Sequence, residues 1–326
     1  MKVVITDRQF ASIDRETDIL TPLGATVLEY RDAPAGISMD DFVRDADALM
    51  VQYTEITPQL IDQLTRCRVI VRYGIGYDNI DAAAAGRKGI WVCTVPDYGS
   101  EEVAGHATAM LMALHRRLPQ LTAHMRGSDP SYHVSPDITR ISQATLGLMG
   151  FGRIAQLVAA RMAPLGVRII ACDPFYDGEK IRQGGAEPVD FDTLCRESDF
   201  ISIHCPLTPD TYRLFGSRAF SAMKPGAVLV NTARGGIVDE AALLAALESG
   251  RLSGAGLDTF DPEPPDVSNP LLHMSQVICT PHCAWYSRQA VQALQEDAAR
   301  EVAAVLTGHP PRHPVNRKEV ESSALR

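Results

Sequence analysis

Short apolar stretches alternate with amphipathic segments of helix length along almost the whole chain. In the first third, apolar and β-branched runs predict strands at 2–6, 26–29, 48–51, 69–73 and 90–95, with helices between them. This alternation is typical of parallel sheets whose strands are joined by crossover helices. The chain is therefore predicted to be an α/β protein.

A long helix is predicted to follow this first series of strands. Ser100 can cap it, the two acids that come next favour its positive N-terminal end, and its apolar body continues to about Leu118. A second series of strands and helices occupies 145–280. The closing helix at 287–306 has one apolar face, and we expect that face to pack on the first domain. The chain would then leave the first domain once and return once, with a cleft between two domains.

The composition of the chain limits which classes of protein and of binding partner are expected. The 326 residues are 45% hydrophobic, and 31 basic against 40 acidic side chains give a net charge of −9, which argues against a nucleic-acid surface. No apolar stretch approaches the roughly 20 residues of a membrane helix, and no signal peptide precedes the first strand, so we expect a cytoplasmic protein. The seven cysteines include no Cys-x-x-Cys pair, so neither a disulfide framework nor a metal site is expected.

A glycine motif follows the first strand of the second series. Gly150 and Gly152 precede a segment with helical apolar spacing, and the small Ala155 allows that helix to pack closely on the strand. Gly150 would make the tight turn, and Gly152 would let the backbone approach a pyrophosphate. The next strand ends at Asp173, whose carboxylate can accept ribose hydroxyls and would repel a 2′-phosphate. The motif predicts a dinucleotide site that takes NAD rather than NADP.

Three later strands each end in a residue suited to chemistry. Arg234 can grip a carboxylate through two hydrogen bonds, Glu263 lies between two prolines, and His282 can exchange a proton near neutral pH. Each residue alone has an ordinary structural explanation, but their convergence at strand ends of one nucleotide-binding domain favours a working site. His204 also ends a strand, and we interpret it as lining the cofactor rather than exchanging protons.

Several segments together resemble the D-isomer-specific 2-hydroxyacid dehydrogenase family over nearly the whole chain. They are Arg72–Asp81, Val95–Tyr98 with Glu101–Ala104, the glycine motif, Asn231–Gly235, Asp258–Pro264 and Thr280–His282. The resemblance implies two Rossmann-like or flavodoxin-like parallel-sheet domains separated by a cleft. It implies a flavodoxin-like substrate domain at 1–100 and 288–326, and an NAD-binding Rossmann domain at 101–287.

The resemblance also implies roles for individual residues. Arg234, Glu263 and His282 would be catalytic: His282 would take the hydroxyl proton of a hydroxy acid, Glu263 would fix its tautomer, and Arg234 would hold the carboxylate. The residues implied to bind NAD are Thr108, Gly150, Gly152, Arg153, Ile154, Asp173, His204, Cys205, Pro206, Thr232, Ala233 and Asp258. The residues implied to bind substrate are Arg72, Gly74, Ile75, Gly76 and Trp285.

The stretch from His282 to Ser287, together with Arg72, most closely resembles the branch that contains the C-terminal binding proteins, which are NAD-binding corepressors. Trp285 and Arg72 are therefore candidate specificity residues. Three functions stay open, of which oxidation of phosphite or formate by the same scaffold is the third. The first is an NAD-dependent oxidoreductase for a small 2-hydroxy acid or 2-keto acid, of the glyoxylate or hydroxypyruvate type or larger. The second is an NADH-sensing interaction protein with incidental dehydrogenase activity. A homodimer is expected from the resemblance, with the helix at 101–118 and the following arm as its interface.

Overall fold

The structure is a computed structural model that describes residues 1–127 and 138–323, and the chain forms two compact units. The first unit comprises Met1–Gly99 and Ser287–Arg326, and the second comprises Ser100–Tyr286. Each unit is built on a parallel sheet with helices between its strands, which confirms the predicted α/β class. No helix in the two described ranges is long and apolar enough to cross a membrane.

The first unit is built on a five-stranded sheet. Its elements are β1 (Lys2–Ile5), α1 (Asp14–Leu20), β2 (Thr26–Glu29), α2 (Met39–Val43), β3 (Ala48–Val51), α3 (Pro58–Gln63), β4 (Val69–Arg72), α4 (Ala82–Arg87) and β5 (Trp91–Cys93). The strand order is β2-β1-β3-β4-β5 and every pair is parallel, which is the flavodoxin-like order. Side-chain caps explain where three helices begin, because Ser38, Thr57 and Asp81 each accept from the backbone N–H three residues on.

The second unit is built on a seven-stranded sheet. Its elements are α5 (Ser100–His115), α6 (Leu118–Met125), β6 (Thr145–Met149), α7 (Arg153–Met162), β7 (Arg168–Cys172), α8 (Gly178–Gln183), β8 (Glu187–Pro188), α9 (Phe191–Glu197), β9 (Phe200–Ile203), α10 (Ser217–Ala222), β10 (Ala227–Asn231), α11 (Glu240–Glu248), β11 (Leu252–Leu257) and β12 (Val277–Cys279). The order β12-β11-β10-β9-β6-β7-β8 is that of a Rossmann fold, and the order reverses between β6 and β9.

The chain closes with two helices that belong to the first unit, α12 (Arg288–Leu306) and α13 (Arg317–Ser323). The side chain of Ser287 caps α12 by accepting from Ala290 N, and Glu296 pairs with Arg15 of α1 at 2.8 Å. The three prolines at 310, 311 and 314 predict an extended tail after Gly308. It runs beside β5, where Val315 N donates to Val92 O at 2.9 Å, but it then forms α13, which its prolines did not suggest.

Two predicted boundaries are wrong by two or more residues. The helix expected to reach Leu118 ends at His115, because Arg117 adopts a left-handed φ of 54° and a new helix begins after it. The strand expected at 90–95 stops at Cys93, since Thr94 N donates to His313 O and Val95 N to Gly74 O instead of to a neighbouring strand.

Both faces of the larger sheet are buried, so the strand ends that carry candidate residues are firmly held. Leu229 of β10 packs in a cluster on one face, whereas its neighbours Val228 and Val230 pack in a cluster on the other. Burial on both faces also explains why these strands are continuous apolar runs rather than alternating ones.

Candidate active site

The candidate residues of the second unit lie along one edge of its sheet. The residues that directly follow β6, β7, β9, β10, β11 and β12 are Gly150, Asp173, His204, Thr232, Asp258 and Thr280. Because all the strands are parallel, their carboxyl ends meet at one edge, and the strand order reverses within it. This is the edge at which doubly wound sheets bind their ligands.

The glycine turn combines close packing with open space. Gly150 has a φ of +88°, and a Cβ there would lie 2.9 Å from the carbonyl of His204, so only glycine fits. Gly152 precedes the ten-residue α7, whose N-terminus has no side-chain cap. A Cβ on Gly152 would meet no atom of the described chain within 4 Å. Backbone amides at a helix N-terminus that border open space suit a phosphate group.

Asp173 holds the glycine turn and keeps acceptor capacity. Its Oδ2 accepts from Phe151 N at 2.9 Å and its Oδ1 accepts from Phe175 N at 3.0 Å. Each carboxylate oxygen can accept a second hydrogen bond, and the half-buried side chain still reaches solvent. The carboxylate can therefore accept the hydroxyls of a ribose placed beside the turn.

The side-chain hydroxyl of Thr232 is buried, and the described part of the chain gives it no hydrogen-bond partner. The residue is only 9% exposed, and its Oγ1 has no hydrogen-bond partner among residues 1–127 and 138–323. A buried hydroxyl without a partner costs roughly 1–3 kcal/mol, so its place at a ligand-binding edge indicates that a ligand completes it. With the glycine turn and Asp173, it fits a dinucleotide.

His204 is built to stay neutral. Its Nε2 lies 2.9 Å from Ser202 Oγ, and the surrounding protein lowers the pKa of His204 to about 4, because burial disfavours the imidazolium. Burial likewise raises the pKa of the neighbouring Cys205 thiol to about 12. Neither residue can supply acid-base chemistry near neutral pH. Their positions beside Gly150 agree with the interpretation that they line the cofactor.

The structure brings Glu263 and His282 together. His282 Nδ1 lies 2.9 Å from Glu263 Oε1, and the two side chains are 23% and 36% exposed. An ionised carboxylate can only accept hydrogen bonds, so Nδ1 must carry the hydrogen. In neutral His282 the lone pair is then on Nε2, where it can take a proton from a substrate hydroxyl or, once protonated, return it.

The backbone that presents His282 is fixed by Asp258. This residue is 1% exposed, and its carboxylate accepts from Cys283 N and Ala284 N, each at 2.9 Å. Its carbonyl oxygen accepts from His282 N at 2.9 Å. His282 itself has a φ of 50°, a conformation that residues other than glycine adopt only when their surroundings hold them there.

The network extends to a residue that sequence reasoning passed over. Thr280 Oγ1 donates to Asp258 Oδ1 at 2.6 Å, and His106 Nε2 lies 3.1 Å from the same Thr280 oxygen. His106 lies on α5, 174 positions before Thr280 in the sequence. No local pattern signals that contact. In the sequence, His106 is distinguished only by its position at the partly exposed edge of the apolar face of α5.

Arg234 is presented by a tightly built turn after β10. Asn231 Nδ2 donates to Arg234 O at 2.8 Å, and Asn231 Oδ1 accepts from Ala233 N at 3.0 Å. A Cβ on Gly235 would collide with the backbone of Phe260, so glycine at this position lets the Arg234 turn lie against the loop that leads to Glu263.

Trp285 is almost fully buried, at 8% exposed. Its Nε1 donates to the carbonyl of His282 at 3.0 Å, and its ring makes an edge-on contact with Tyr286. The tryptophan thus stabilises the loop that carries His282. The sequence-based role in narrowing a substrate pocket stays a prediction.

The predicted substrate residues of the first unit lie on the turn after β4. Gly74 has a φ of +143°, and a Cβ there would collide with the guanidinium of Arg72, whose Nη1 donates to Tyr73 O at 2.8 Å. Ile75 is exposed and Gly76 is half-buried. Tyr73 anchors the turn, because its hydroxyl donates to the buried Glu16 at 2.8 Å.

The other residues predicted to bind NAD lie on α5, on α7 and in the segments that follow β9 and β10. Thr108 lies on α5, where its Oγ1 donates to Ala104 O at 2.7 Å and so is used within its own helix. Arg153 and Ile154 form the first turn of α7, at the helix end that borders the open space. Ala233 adjoins Thr232, and Pro206 is exposed after Cys205.

Comparison with known proteins agrees with this arrangement. Residues 108–284 match the family model of the D-isomer specific 2-hydroxyacid dehydrogenase NAD-binding domain. A glyoxylate reductase from Thermococcus litoralis is 36% identical over 297 residues, which cover 89% of each chain. A D-3-phosphoglycerate dehydrogenase from Methanocaldococcus jannaschii is 38% identical over 87% of this chain, but this chain spans only 54% of that protein.

Solved structures show the same fold over the whole chain. The TT0316 protein from Thermus thermophilus superposes with a TM-score of 0.85 at 33% identity, over 97% of this chain and 100% of that one. A D-lactate dehydrogenase from Aquifex aeolicus, solved with NAD and lactic acid, superposes with a TM-score of 0.83 at 27% identity over 98% of each chain. The chain belongs to the D-isomer specific 2-hydroxyacid dehydrogenase family and is an NAD-dependent enzyme that acts on CH–OH groups.

Proposed function

We propose that this enzyme interconverts a small 2-keto acid and the corresponding 2-hydroxy acid, with Arg234, Glu263 and His282 as its catalytic residues. The observation that carries the proposal is the 2.9 Å contact between His282 Nδ1 and Glu263 Oε1, because it leaves Nε2 as the proton-exchanging atom. The similar glyoxylate reductase makes glyoxylate the first substrate to test, followed by hydroxypyruvate and larger keto acids.

In the proposed reaction the cofactor and the protein side chains have separate roles. When bound, NAD supplies the hydride chemistry. In the oxidation direction His282 Nε2 takes the proton of the substrate hydroxyl, and in reduction it returns that proton to the carbonyl oxygen. Glu263 keeps the other ring nitrogen protonated and stabilises the imidazolium formed during oxidation. Arg234 binds the substrate carboxylate and stabilises negative charge on the carbonyl oxygen.

We further propose that the turn after β4 contributes to substrate binding. The backbone amides of Gly74, Ile75 and Gly76 would hold the carboxylate, and Arg72 would approach it. Trp285 would supply an aromatic wall. The support is the conformation of the turn, in which Gly74 has a φ of +143° and the Arg72 guanidinium lies directly beside it.

Cofactor preference rests on Asp173. Its carboxylate lies at the glycine turn, where it can accept ribose hydroxyls and where its charge would repel a 2′-phosphate. The proposed NAD-binding residues also include the turn itself, with Gly150, Gly152 and Arg153, and the unsatisfied hydroxyl of Thr232.

A homodimer is proposed as the oligomeric state. Its interface would be formed by α5 and α6, which together cover the helix predicted at 101–118, and by the arm that follows, of which residues 128–137 lie outside the described part of the chain. Exposed Leu118 and Met125, at 52% and 58%, support this proposal because they leave apolar surface on α6. Size-exclusion chromatography with light scattering should give the mass of a dimer, and a monomer at micromolar concentration would overturn it.

The function is tested by mixing the purified protein with NADH and glyoxylate, hydroxypyruvate, pyruvate, phenylpyruvate or 4-methylthio-2-ketobutyrate. Loss of the reduced-nicotinamide absorbance with at least one keto acid is expected, and the same panel with NADPH should react more slowly. Tight NADH binding without turnover of any acid would refute the substrate class and favour the NADH-sensing alternative.

A further inference from the structure

We propose that His106 is a positioning residue for the catalytic loop, acting on His282 through Thr280 and Asp258. The side chains form one chain of hydrogen bonds, from His106 Nε2 to Thr280 Oγ1 at 3.1 Å and from Thr280 Oγ1 to Asp258 Oδ1 at 2.6 Å. The Asp258 carboxylate then accepts from the amides of Cys283 and Ala284. The inference rests on the proposed role of His282 in proton exchange.

The direction of each hydrogen bond follows from the chemistry of the groups. The Asp258 carboxylate is only an acceptor, so the single hydroxyl hydrogen of Thr280 is used toward Asp258. The Thr280 oxygen can then only accept from His106, which requires a hydrogen on His106 Nε2. His106 therefore fixes the orientation of a hydroxyl that would otherwise rotate between partners.

The burial of Asp258 makes this orientation matter. Its side chain is 1% exposed, and its charge accepts hydrogen bonds from one hydroxyl and two amides, with the thiol of Cys283 also beside it. In such a setting hydrogen bonds to a charged group are strong, and the loss of one donor is costly. His106 is 26% exposed and connects this buried group to α5.

The two amides that Asp258 holds follow His282 directly in the chain. His282 has a left-handed φ of 50°, so its backbone must be held on both sides to keep that conformation. The carbonyl of Asp258 holds its N–H, and the carboxylate of Asp258 holds the next two residues. Loosening the carboxylate would let the imidazole drift from its place beside Glu263.

Hydrogen exchange tests this connection without relying on turnover. The variants are His106→Leu, His106→Gln, Thr280→Val and the double variant His106→Leu/Thr280→Val. His273→Leu is the control, because His273 is an exposed histidine of the same unit that makes one hydrogen bond to a loop carbonyl. Deuterium uptake is followed by mass spectrometry in peptides that span 281–286.

We expect uptake in that peptide to be about three- to tenfold faster in His106→Leu, as for loss of one hydrogen bond. Uptake should be faster still in Thr280→Val, which also loses the hydrogen bond to the Asp258 carboxylate. His106→Gln should stay near the wild type, because its amide nitrogen can donate as Nε2 does. The double variant should match Thr280→Val alone, because His106 acts on the loop through Thr280 and has no further effect once Thr280 is replaced. Unchanged uptake in His106→Leu, or additive effects in the double variant, would overturn the proposal.

Kinetics give a second readout that a merely structural role would not produce. With the keto acid found in the panel, kcat of His106→Leu should fall by about three- to tenfold, while the Kd for NADH changes less than about twofold. Recovery of kcat in His106→Gln is expected, and failure of this rescue would contradict a positioning role. If the wild type turns over no keto acid, the proposed function fails, yet the exchange experiment still decides the role of His106.

Discussion

Replacing Asp258 by Asn is the sharpest perturbation of the loop that carries His282. The native carboxylate accepts from Thr280 Oγ1, Cys283 N and Ala284 N, at 2.6, 2.9 and 2.9 Å. The two amides approach different carboxylate oxygens. An asparagine amide retains one oxygen and places an NH2 group against at least one of these donors. Asp258→Asn therefore removes a hydrogen bond and leaves a buried N–H facing another donor.

The expected size of the effect follows from those two losses. A hydrogen bond to a charged group contributes about 1.5–3 kcal/mol, and a buried unsatisfied N–H costs about 1–3 kcal/mol. Together they predict a loss of roughly 3–5 kcal/mol in the free energy of unfolding of the second unit. For a unit of this size the melting temperature should fall on the order of 10 °C. We also expect kcat to fall at least about tenfold, because the His282 backbone loses its anchor.

Thermal unfolding and steady-state kinetics with NADH and the keto acid from the panel measure both effects. Asp192→Asn is the matched control, since Asp192 is a surface residue of the same unit that pairs with Arg218 at 3.0 Å. An exposed ion pair contributes less than about 1 kcal/mol, so the control should melt within a few degrees of the wild type. If Asp258→Asn behaves like this control in both assays, the account of the His282 loop is wrong.

Three further changes test other parts of the structure. Asp173→Ala should lower the preference for NADH over NADPH, measured as the ratio of kcat/KM, by about tenfold or more, and an unchanged ratio would refute its ribose role. Gly235→Ala should cost about 1–3 kcal/mol in chemical unfolding, because its Cβ would collide with the Phe260 backbone, whereas Gly105→Ala has open space and should be neutral or stabilising. His204 has a pKa lowered to about 4, so the unfolded state binds its proton first as pH falls. The stability that neutral His204 provides is complete above about pH 6.5 and is lost toward pH 4, by about 3 kcal/mol, and His204→Gln should show a correspondingly weaker acid dependence of its unfolding free energy.

Continuous apolar runs were sufficient to predict the central strands, because those strands are buried on both faces. Runs such as Val3–Ile5 and Ala227–Val230 are continuous apolar segments, and the structure places strands at Lys2–Ile5 and Ala227–Asn231. Gly166 follows the apolar helix segment after the glycine motif, at a position that suits a left-handed C-terminal cap, and its φ is 77°. Signals of this kind are local, so sequence reasoning can find them.

Features that depend on backbone conformation at one residue, or on distant contacts, were not predictable in the same way. Nothing in the apolar pattern marks the break at Arg117, since the amphipathic spacing continues through it and only Pro119 hints at a new helix. The helix at Arg317–Ser323 follows a proline-rich segment that hydrogen-bonds along β5.

In the candidate site, too, some features could be predicted from the sequence and others could not. The residues at strand ends could be predicted, because parallel topology brings carboxyl ends to one edge whatever the details of packing. The contact between Glu263 and His282 was expected from the resemblance. By contrast, His106 meets Thr280 across 174 positions, and the donors around Asp258 are backbone amides that carry no sequence signature.

The measurement that tests the central claim most directly is turnover by His282→Ala. Its NADH affinity should stay within about threefold of the wild type by fluorescence titration, while kcat with the keto acid falls by about a hundred- to ten-thousand-fold, the usual contribution of general acid-base catalysis. His273→Ala, which changes an exposed histidine of the same unit, should retain full activity. Near-native kcat in His282→Ala, with NADH bound normally, would contradict the assignment of His282 as the proton-exchanging residue.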